Sequence, residues 1–587
     1  MAPLIDLRNL RFLLYDWLEL GALCERPFYA MHDRDELDQV LDTALALAES
    51  HFAPHAAALD QSPPTFDGER VDILPEVKRA LDAFADAGFL TVAFPEAHGG
   101  LQLPYMVAQS AMAMFSSANT STAAYPMLSM AAANLLAAYA SPEQQAQFLA
   151  PLLDGRAMGT MCLTEPEAGS SLGDLRSLAT PQPDGSYRLT GDKMWISAAE
   201  HDLAPNIVHL VLARTPGAPD GTKGISLFIV PKVLDDGSRN RVVVSGLNHK
   251  MGFRGTVNTV LHFEGATAYR VGEEGRGLTC MFHMMNEARV AVGLGASMLG
   301  TAGYLFSLDY ARERPQGRHA WQRDPAAPPV PIIEHADVRR MLLAQKAYVE
   351  GGLALSLYAA RLVDDVRSAP QAERDEAALL LDLLTPIVKA WPSEYCLEAN
   401  KLAIQVLGGY GYSQDYPVER YYRDNRLNAI HEGTNGIQAL DLLGRKVPAK
   451  NGAALQVLLR RVGATIAATR GMDGLSEHAS ALEAAVARAG STTQRLLGAA
   501  ARGEIPQYLA NASVYLDMMG HTVVAWLWLE QAAVSAAALA EGDDPFHRGK
   551  LQACRYFFRW ELPKTVAQAE LLSRLDDTCL AMDPDWF

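Results

Sequence analysis

The sequence predicts an α+β chain, mainly helical, with a small β domain between helical blocks. Three observations carry this. Apolar residues recur at helical spacing through roughly the first 155 positions. The pattern then changes to short runs rich in Val and Ile, separated by Gly, Pro and Asp, as far as about residue 270. Beyond Arg276 four long helical stretches return, the content of a bundle, and a further helical block runs to Phe587.

Taken in order, residues 35–51 place Leu37, Val40, Leu41, Ala44, Leu45, Leu47 and Ala48 on one helical stripe. Residues 60–70, with two prolines and a glycine, read as a loop, and residues 74–88 as a helix stopped by Gly88. Helical runs follow at 106–114, 122–139 and 142–153, the last opened by Ser141 as cap and Pro142 in the first turn. Strands are expected at 159–163, 187–190, 207–213, 225–230, 241–245 and 258–263, enough for a small barrel or sandwich. The four long helices are expected at 277–312, 335–366, 374–408 and 417–444, with a proline-rich excursion at 315–331. The domain scheme is therefore 1–156 helical, 157–272 β, 273–448 helical bundle and 449–587 an additional helical domain.

At 587 residues, more than one core is expected. Hydrophobic residues at 49% and charged residues at 20% describe an ordinary globular protein. Acidic side chains exceed basic ones by 68 to 51, which argues against broad contact with nucleic-acid phosphates. Cys24, Cys162, Cys280, Cys396, Cys554 and Cys579 are scattered and form no C-x-x-C pair, so neither a zinc site nor a disulfide framework is expected. Charges interrupt the first twenty residues, and no uninterrupted apolar run is long enough for a bilayer; the expectation is a cytoplasmic protein without a membrane span.

Chemistry concentrates in a few stretches. Glu432, followed at once by Gly433 and Thr434, stands where a helix breaks, a place where a carboxylate can meet a ligand. Upstream, Gln405 leads into Gly408, Gly409 and Gly411, so the backbone there can approach a bulky group. Residues 161–171 read Met-Cys-Leu-Thr-Glu-Pro-Glu-Ala-Gly-Ser-Ser, and residues 193–197 read Lys-Met-Trp-Ile-Ser. Each has a bland reading, as C-cap, interhelical turn or core aromatic. Together, in this order and at these separations, they resemble the acyl-CoA dehydrogenase flavoproteins over roughly the first three quarters of the chain. The added length resembles the long bacterial forms, of the 3-methylmercaptopropionyl-CoA and long-chain acyl-CoA dehydrogenase-like types.

The resemblance implies an oxidoreductase that uses FAD to introduce a 2,3-double bond into an acyl-CoA thioester, with Glu432 as the base. Removing a proton beside a thioester carbonyl suits a carboxylate in a dry pocket, and the hydride needs a cofactor, since no side chain accepts one. A G-x-G-x-x-G between strand and helix is not found, which disfavours a nicotinamide site. Further implications of the resemblance concern the cofactor. Met161, Leu163, Thr164, Gly169 and Ser170 lie along the flavin, and Trp195, Ile196 and Ser197 pack and hydrogen-bond against it. Arg314 reaches the pyrophosphate of a neighbouring subunit, with Arg318 an open alternative. Gln405, Gly408 and Gly409 serve the nucleotide, and Gly433 and Thr434 form the turn after the base.

Ser170, Asn286, Arg289 and Glu432 are the implied substrate contacts, the amide of Glu432 helping to polarise the thioester carbonyl. Gly436 and Ala336 stand where relatives carry glutamine, so two nucleotide contacts are expected to be missing. Partners implied are an acyl-CoA, an electron-transfer flavoprotein and a second copy in a homodimer, with a tetramer open. The acceptor leaves acyl-CoA oxidase as an alternative; a silent DNA-binding flavoprotein of the same fold is disfavoured by the net charge of −17. Oxidation of a nitroalkane is disfavoured by glutamate at the base position. Tyr105, Met106, Met284 and Met285 read as either pocket or core, and the basic stretch 547–559 as either a CoA-phosphate contact or an amphipathic helix.

Overall fold

The computed structural model describes residues 3–587, apart from the side chains of His283 and Asn286. Packing divides it into two units, residues 37–288 and residues 1–36 with 289–587.

In the first unit, helices α1 (Arg34–Leu47), α2 (Pro75–Asp86) and α3 (Tyr105–Tyr139) precede the strands. The break expected between 114 and 122 is a kink inside α3: Asn119 leaves helical geometry at φ −160° and ψ 91°. Its side chain accepts from the Thr122 N–H at 3.2 Å and donates to the Phe52 carbonyl at 3.2 Å, so it caps the second half of the helix. The loop at 60–70 holds a hairpin of β1 (Thr65–Phe66) and β2 (Val71–Asp72).

The β domain contains β3 (Ala157–Cys162), β4 (Leu178–Pro181), β5 (Tyr187–Ser197), β6 (Asn206–Arg214), β7 (Ile225–Pro231), β8 (Val242–Leu247) and β9 (Asn258–Val271). β4 pairs with β5, β5 with β9, β9 with β7 and β7 with β6, and Arg214 of β6 returns to Leu178 of β4. The ring closes, which decides for a barrel over a sandwich. β3 adds in parallel to β6 and β8 antiparallel to β9, outside the ring.

Both faces of β6 and β7 are buried, which explains their uninterrupted apolar runs. Val211, Ala213 and Phe228 join Leu189, Ile196 and Phe263 in one core, while Val208, Leu210, Leu212, Leu227 and Ile229 pack with Leu135, Leu136, Phe148 and Leu152. Met284 and Met285 lie in this second cluster, and Tyr105 and Met106 are buried. Strand β4, missed by the pattern, is too short and too polar to show a period: of its four residues Ala179 alone is buried.

The second unit is helical. It holds α4 (Gly277–Glu313) from Arg289 onward, α5 (Ala336–Ser368), α6 (Gln371–Leu407), α7 (Val418–Asn425) and α8 (Asn435–Asp441). The additional block supplies α9 (Ala453–Thr469), α10 (Ser476–Ala501), α11 (Ala512–Glu541), α12 (Pro545–Tyr556) and α13 (Lys564–Ser573). One expectation is corrected here. Residues 1–36 do not group with the helical block that follows them but with the C-terminal unit.

Lys550 shows why: its buried ammonium donates to Asn9 Oδ1 at 3.0 Å and Gln531 Oε1 at 2.7 Å, pairs with Glu350 at 2.9 Å, and lies 4.5 Å from the Trp528 ring centre. Short amphipathic helices carry no mark of where their partner lies in sequence. In the basic stretch around Lys550, Arg548 pairs with Asp543 and Arg559 with Glu477 at the surface. Helices α4 and α11 are long and apolar enough to cross a bilayer by composition, yet most of each apolar window is buried inside the protein.

Candidate active site

In the first unit, the two sequence stretches that resemble flavin-binding segments are bolted to each other from beneath. The Met194 N–H donates to the Thr164 carbonyl at 2.9 Å. Lys193, wholly buried, donates to the Leu163 carbonyl at 3.0 Å and to Glu165 Oε1 at 2.9 Å. Glu165 also accepts from the backbone of Arg176 at 2.7 Å and of Ser177 at 3.0 Å, and from Ser177 Oγ at 2.6 Å. Burial opposes ionisation of both groups, but Lys193 and these donors hold the Glu165 carboxyl below its ordinary range, and Glu165 in turn opposes the lowering of the Lys193 pKa by burial.

Above this pair β5 bulges: its register against β9 shifts between Lys193 and Ile196. The bulge puts Trp195 at φ 64°, in the left-handed region, with its indole 54% exposed. A bulky residue in that conformation is uncommon, and such strain collects at functional sites. Ser197 Oγ accepts from Asn258 Nδ2 at 3.1 Å, which leaves its own proton to donate. The Ile196 side chain is buried in the barrel core, and its carbonyl accepts from Thr259 Oγ1 at 3.2 Å. Met161 and Leu163 rest partly on the second apolar cluster, Thr164 is partly exposed, and Gly169 and Ser170 are exposed. A Cβ at Gly169 would meet nothing nearer than Thr164 Cγ2 at 3.8 Å.

In the second unit the helix expected over 417–444 is interrupted. α7 ends at Asn425, a 3₁₀ turn follows over Arg426–Ala429, and α8 starts at Asn435. Between them Glu432 adopts φ 54° and Gly433 φ 83°, and Thr434 caps α8 by accepting from the Ile437 N–H at 3.3 Å. Gln438 Nε2 holds this turn through the carbonyls of Glu432 (3.1 Å) and Gly433 (3.2 Å). A relay of buried amides braces it from behind: Asn400 Oδ1 accepts from Asn425 Nδ2 (2.7 Å), Asn425 Oδ1 from Asn428 Nδ2 (2.9 Å), and Asn428 Oδ1 meets His431 Nε2 (3.0 Å). Among the described residues the Glu432 N–H meets no acceptor.

Burial pushes the Glu432 carboxyl above its usual range, while Arg289 and Lys389 pull it back. Arg289 is buried, pairs with Asp441 at 3.2 Å, and its Nη2 lies 3.9 Å from where a Cβ on Gly433 would stand. Asn286, expected beside Arg289, lies outside the described side chains. Further out, Gln405, Gly408 and Gly409 are exposed at the end of α6, and a Cβ on either glycine would meet open space.

Arg314 stands over the Tyr410 ring, 5.5 Å from its centre, not spent on a carboxylate. Arg318 instead donates within its own loop, to the carbonyls of Ala327 and Pro325, which favours Arg314 as the phosphate ligand. Taken by itself, the first unit offers an exposed indole and a free hydroxyl proton, which suit a flavin ring in chemistry. The second, by itself, offers open glycines and, among the described residues, an arginine without a carboxylate partner, which suit a nucleotide phosphate. Sequence reasoning assigned no role to Lys389, Asn435 or Glu165. The signal for Lys389 was available, as a lone cation inside the apolar run Ile387-Val388-Lys389-Ala390-Trp391.

Comparison with known proteins bears on this arrangement. Family models match the acyl-CoA dehydrogenase N-terminal domain over residues 34–156, the middle domain over 160–266, the C-terminal domain over 275–447, and an acetyl-CoA dehydrogenase C-terminal-like domain over 458–583. The chain is 37% identical to a 3-methylmercaptopropionyl-CoA dehydrogenase of Ruegeria pomeroyi, covering 98% of each. It is 34% identical to a broad-specificity linear acyl-CoA dehydrogenase of Mycobacterium tuberculosis, again covering 98% of each. A solved acyl-CoA dehydrogenase from Bacillus anthracis, complexed with FAD, shares the fold at a TM-score of 0.75 and 20% identity, over 98% of this chain and 93% of that one. ACDH-11 of Caenorhabditis elegans, solved with C11-CoA, does so at 0.76 and 19%, over 96% and 93%. The chain belongs to the acyl-CoA dehydrogenase family and is an oxidoreductase of that family.

Proposed function

We propose that the chain is an FAD-dependent acyl-CoA dehydrogenase in which Glu432 takes the proton from the carbon next to the thioester carbonyl. One observation carries the reading: a carboxylate at φ 54°, next to a glycine at φ 83°, with a raised pKa caused first by burial. Bound FAD supplies the two-electron acceptor for the hydride from the β-carbon. The unpartnered Glu432 N–H is a donor for the thioester oxygen, where negative charge develops as the proton leaves. Arg289 and Lys389 oppose the effect of burial and favour the ionised form of the base.

In the first unit Trp195 offers a flat face to the isoalloxazine, Ser197 a proton to its ring, and Ser170, with the backbone of 161–169, contacts along its polar edge. In the same reading Arg314, Gln405, Gly408 and Gly409 serve the nucleotide of a partner subunit in a cytoplasmic homodimer. Electrons then leave to an electron-transfer flavoprotein. The names of the relatives make 3-methylmercaptopropionyl-CoA and linear acyl-CoAs the first substrates to try.

The test is an anaerobic titration of the yellow protein with these acyl-CoAs beside Glu432→Gln. Wild type is expected to bleach with at least one, and the variant to bind it but bleach about 10²- to 10⁴-fold more slowly. If Glu432→Gln bleaches like wild type, the base assignment is wrong; if neither bleaches with any acyl-CoA, so is the reaction. Oxygen uptake during turnover in place of flavoprotein reduction would assign the acceptor to the oxidase alternative.

A further inference from the structure

Lys389 is an ammonium buried in the middle of α6, with no exposed surface, and its hydrogen bond goes to a neutral amide: Nζ donates to Asn435 Oδ1 at 2.9 Å. Asn435 Nδ2 donates onward to Glu394 Oε1 at 2.6 Å. Asn435 is the first residue of α8, one position beyond the Glu432-Gly433-Thr434 turn, so this chain of bonds ties α6 to the segment that carries Glu432. A methionine would fill much the same space without the cost of burying a charge on a neutral partner. The cost points to something the charge does.

The charged groups facing this point are few, and their balance is uneven. From α4 comes Arg289, already paired with Asp441 of α8, which in turn binds Arg445 at 2.7 Å. From α6 comes Glu394, which accepts from Asn435. The turn itself contributes His431, kept neutral because burial, helped by Lys389, lowers its pKa to about 3. Among the described residues Lys389 has no ion-pair partner; Glu432 is the first charge that holds its pKa up, and Lys389 is in turn, after Arg289, the second cation that holds the Glu432 pKa down.

We propose that Lys389 is a positioning residue for the reaction: anchored to Asn435, it fixes the turn and presents to the Glu432 carboxylate the positive charge that keeps it ready to accept a proton. This rests on Glu432 being the base. Burial lowers the Lys389 pKa to about 7 while Glu432 opposes the shift, and Lys389 in turn opposes the rise that burial imposes on Glu432.

The experiment is the pH dependence of anaerobic flavin reduction in the full-length holoprotein, with three variants beside wild type. Lys389→Gln keeps a donor for Asn435 and removes the charge; Lys389→Met removes both; Asn435→Leu removes the anchor and keeps the charge. The acid limb of the profile is expected to move up by about one pH unit in both Lys389 variants, because a positive charge that favours the ionised carboxylate has been lost. In Asn435→Leu the rate at the optimum falls and the limb stays closer to that of wild type. Flavin content and thermal midpoint report folding, and Lys389→Gln is the variant expected to retain both.

A folded Lys389→Gln with the wild-type limb overturns the proposal and leaves Lys389 a packing residue. If both Lys389 variants fail to fold, an Asn435→Leu protein with the wild-type optimum rate overturns it instead. Glu432→Gln separates this failure from failure of the base assignment: a Glu432→Gln protein that reduces flavin normally removes the base and the proposal together. An inert Glu432→Gln beside an unshifted Lys389→Gln removes the proposal alone.

Discussion

The two strained turns, one in each unit, are built by the same device and finished differently. At Trp195 and at Glu432 a bulky residue is held at φ 64° and φ 54°, and a buried lysine lies close by in the chain or the fold. Under Trp195 the lysine is hydrogen-bonded to a counter-ion: Lys193 meets a carboxylate and a carbonyl, and the carboxylate is itself surrounded by donors. Beside Glu432 it is not, for Lys389 meets one amide and its pKa falls to about 7. A neutralised pair serves as a rigid floor, whereas an uncompensated charge serves as a source of potential for the group opposite. The difference between a clamp and a tuner is thus legible in the partner of the ammonium.

Breaking the clamp is expected to have the largest effect on stability. Lys193→Met leaves Glu165 as a buried carboxylate without its counter-ion and is expected to destabilise the protein by about 3–5 kcal/mol. Lys193→Met with Glu165→Leu is expected to recover much of that, because no stranded charge remains. Denaturation followed by barrel-domain fluorescence checks both. If the single variant costs as little as a surface substitution, the pair is not the floor of the Trp195 bulge.

Both turns were partly legible in the sequence, for a common reason. Glycine and proline punctuation showed where the chain must turn, and so located Gly433, Gly408 and the loop through Gly169. The change of period from helix to strand located the barrel. Its closure was not legible, because it depends on β4, a four-residue strand with one buried side chain, and on the single pairing of Leu178 with Arg214. Positive φ at Trp195 and Glu432 was not legible either, since neither residue type signals a left-handed backbone; tertiary bonding imposes it. The membership of residues 1–36 in the C-terminal unit rests on long-range bonds such as Lys550 to Asn9, which local patterns do not contain.

A smaller effect is expected from stiffening the second turn. Gly433 sits at φ 83°, and an added Cβ would come within 2.7 Å of Gln438 Nε2, the donor that holds the turn. Gly433→Ala is expected to cost about 1–3 kcal/mol of local strain and to lower kcat more than it raises KM, because it displaces the base rather than the binding surface. Gly169→Ala in the other unit is the contrasting control: its Cβ finds room, so thermal stability stays within ~0.5 kcal/mol of wild type while flavin retention falls.

The uncompensated lysine also predicts how stability follows pH. Its folded pKa of about 7 lies below the ordinary value of 10.5, so below pH 7 folded and unfolded chains both carry the proton and the burial penalty is present in full. Between pH 7 and about 10 the folded state has released the proton and the unfolded state has not, so stability rises with pH by up to about 1.4 kcal/mol per unit. Lys389→Met is expected to lack this rise when its unfolding is followed beside wild type across that window. Parallel curves for the two proteins would mean that Lys389 stays charged inside the fold.

A small effect on stability is expected at Trp195, and its sign is the informative part. A left-handed backbone costs a non-glycine residue about 1–2 kcal/mol, and the indole recovers little of this by burial because it is half exposed. Glycine removes that strain at an entropic cost of about 0.5–1 kcal/mol in the unfolded chain. Trp195→Gly is therefore expected to unfold at or slightly above the wild-type midpoint, by no more than about 1 kcal/mol, while losing flavin more readily on dialysis. A clear loss of stability in the flavin-free protein would instead make the indole part of the packing of the barrel, and the strain at Trp195 would then be a by-product of the bulge, with no parallel at Glu432.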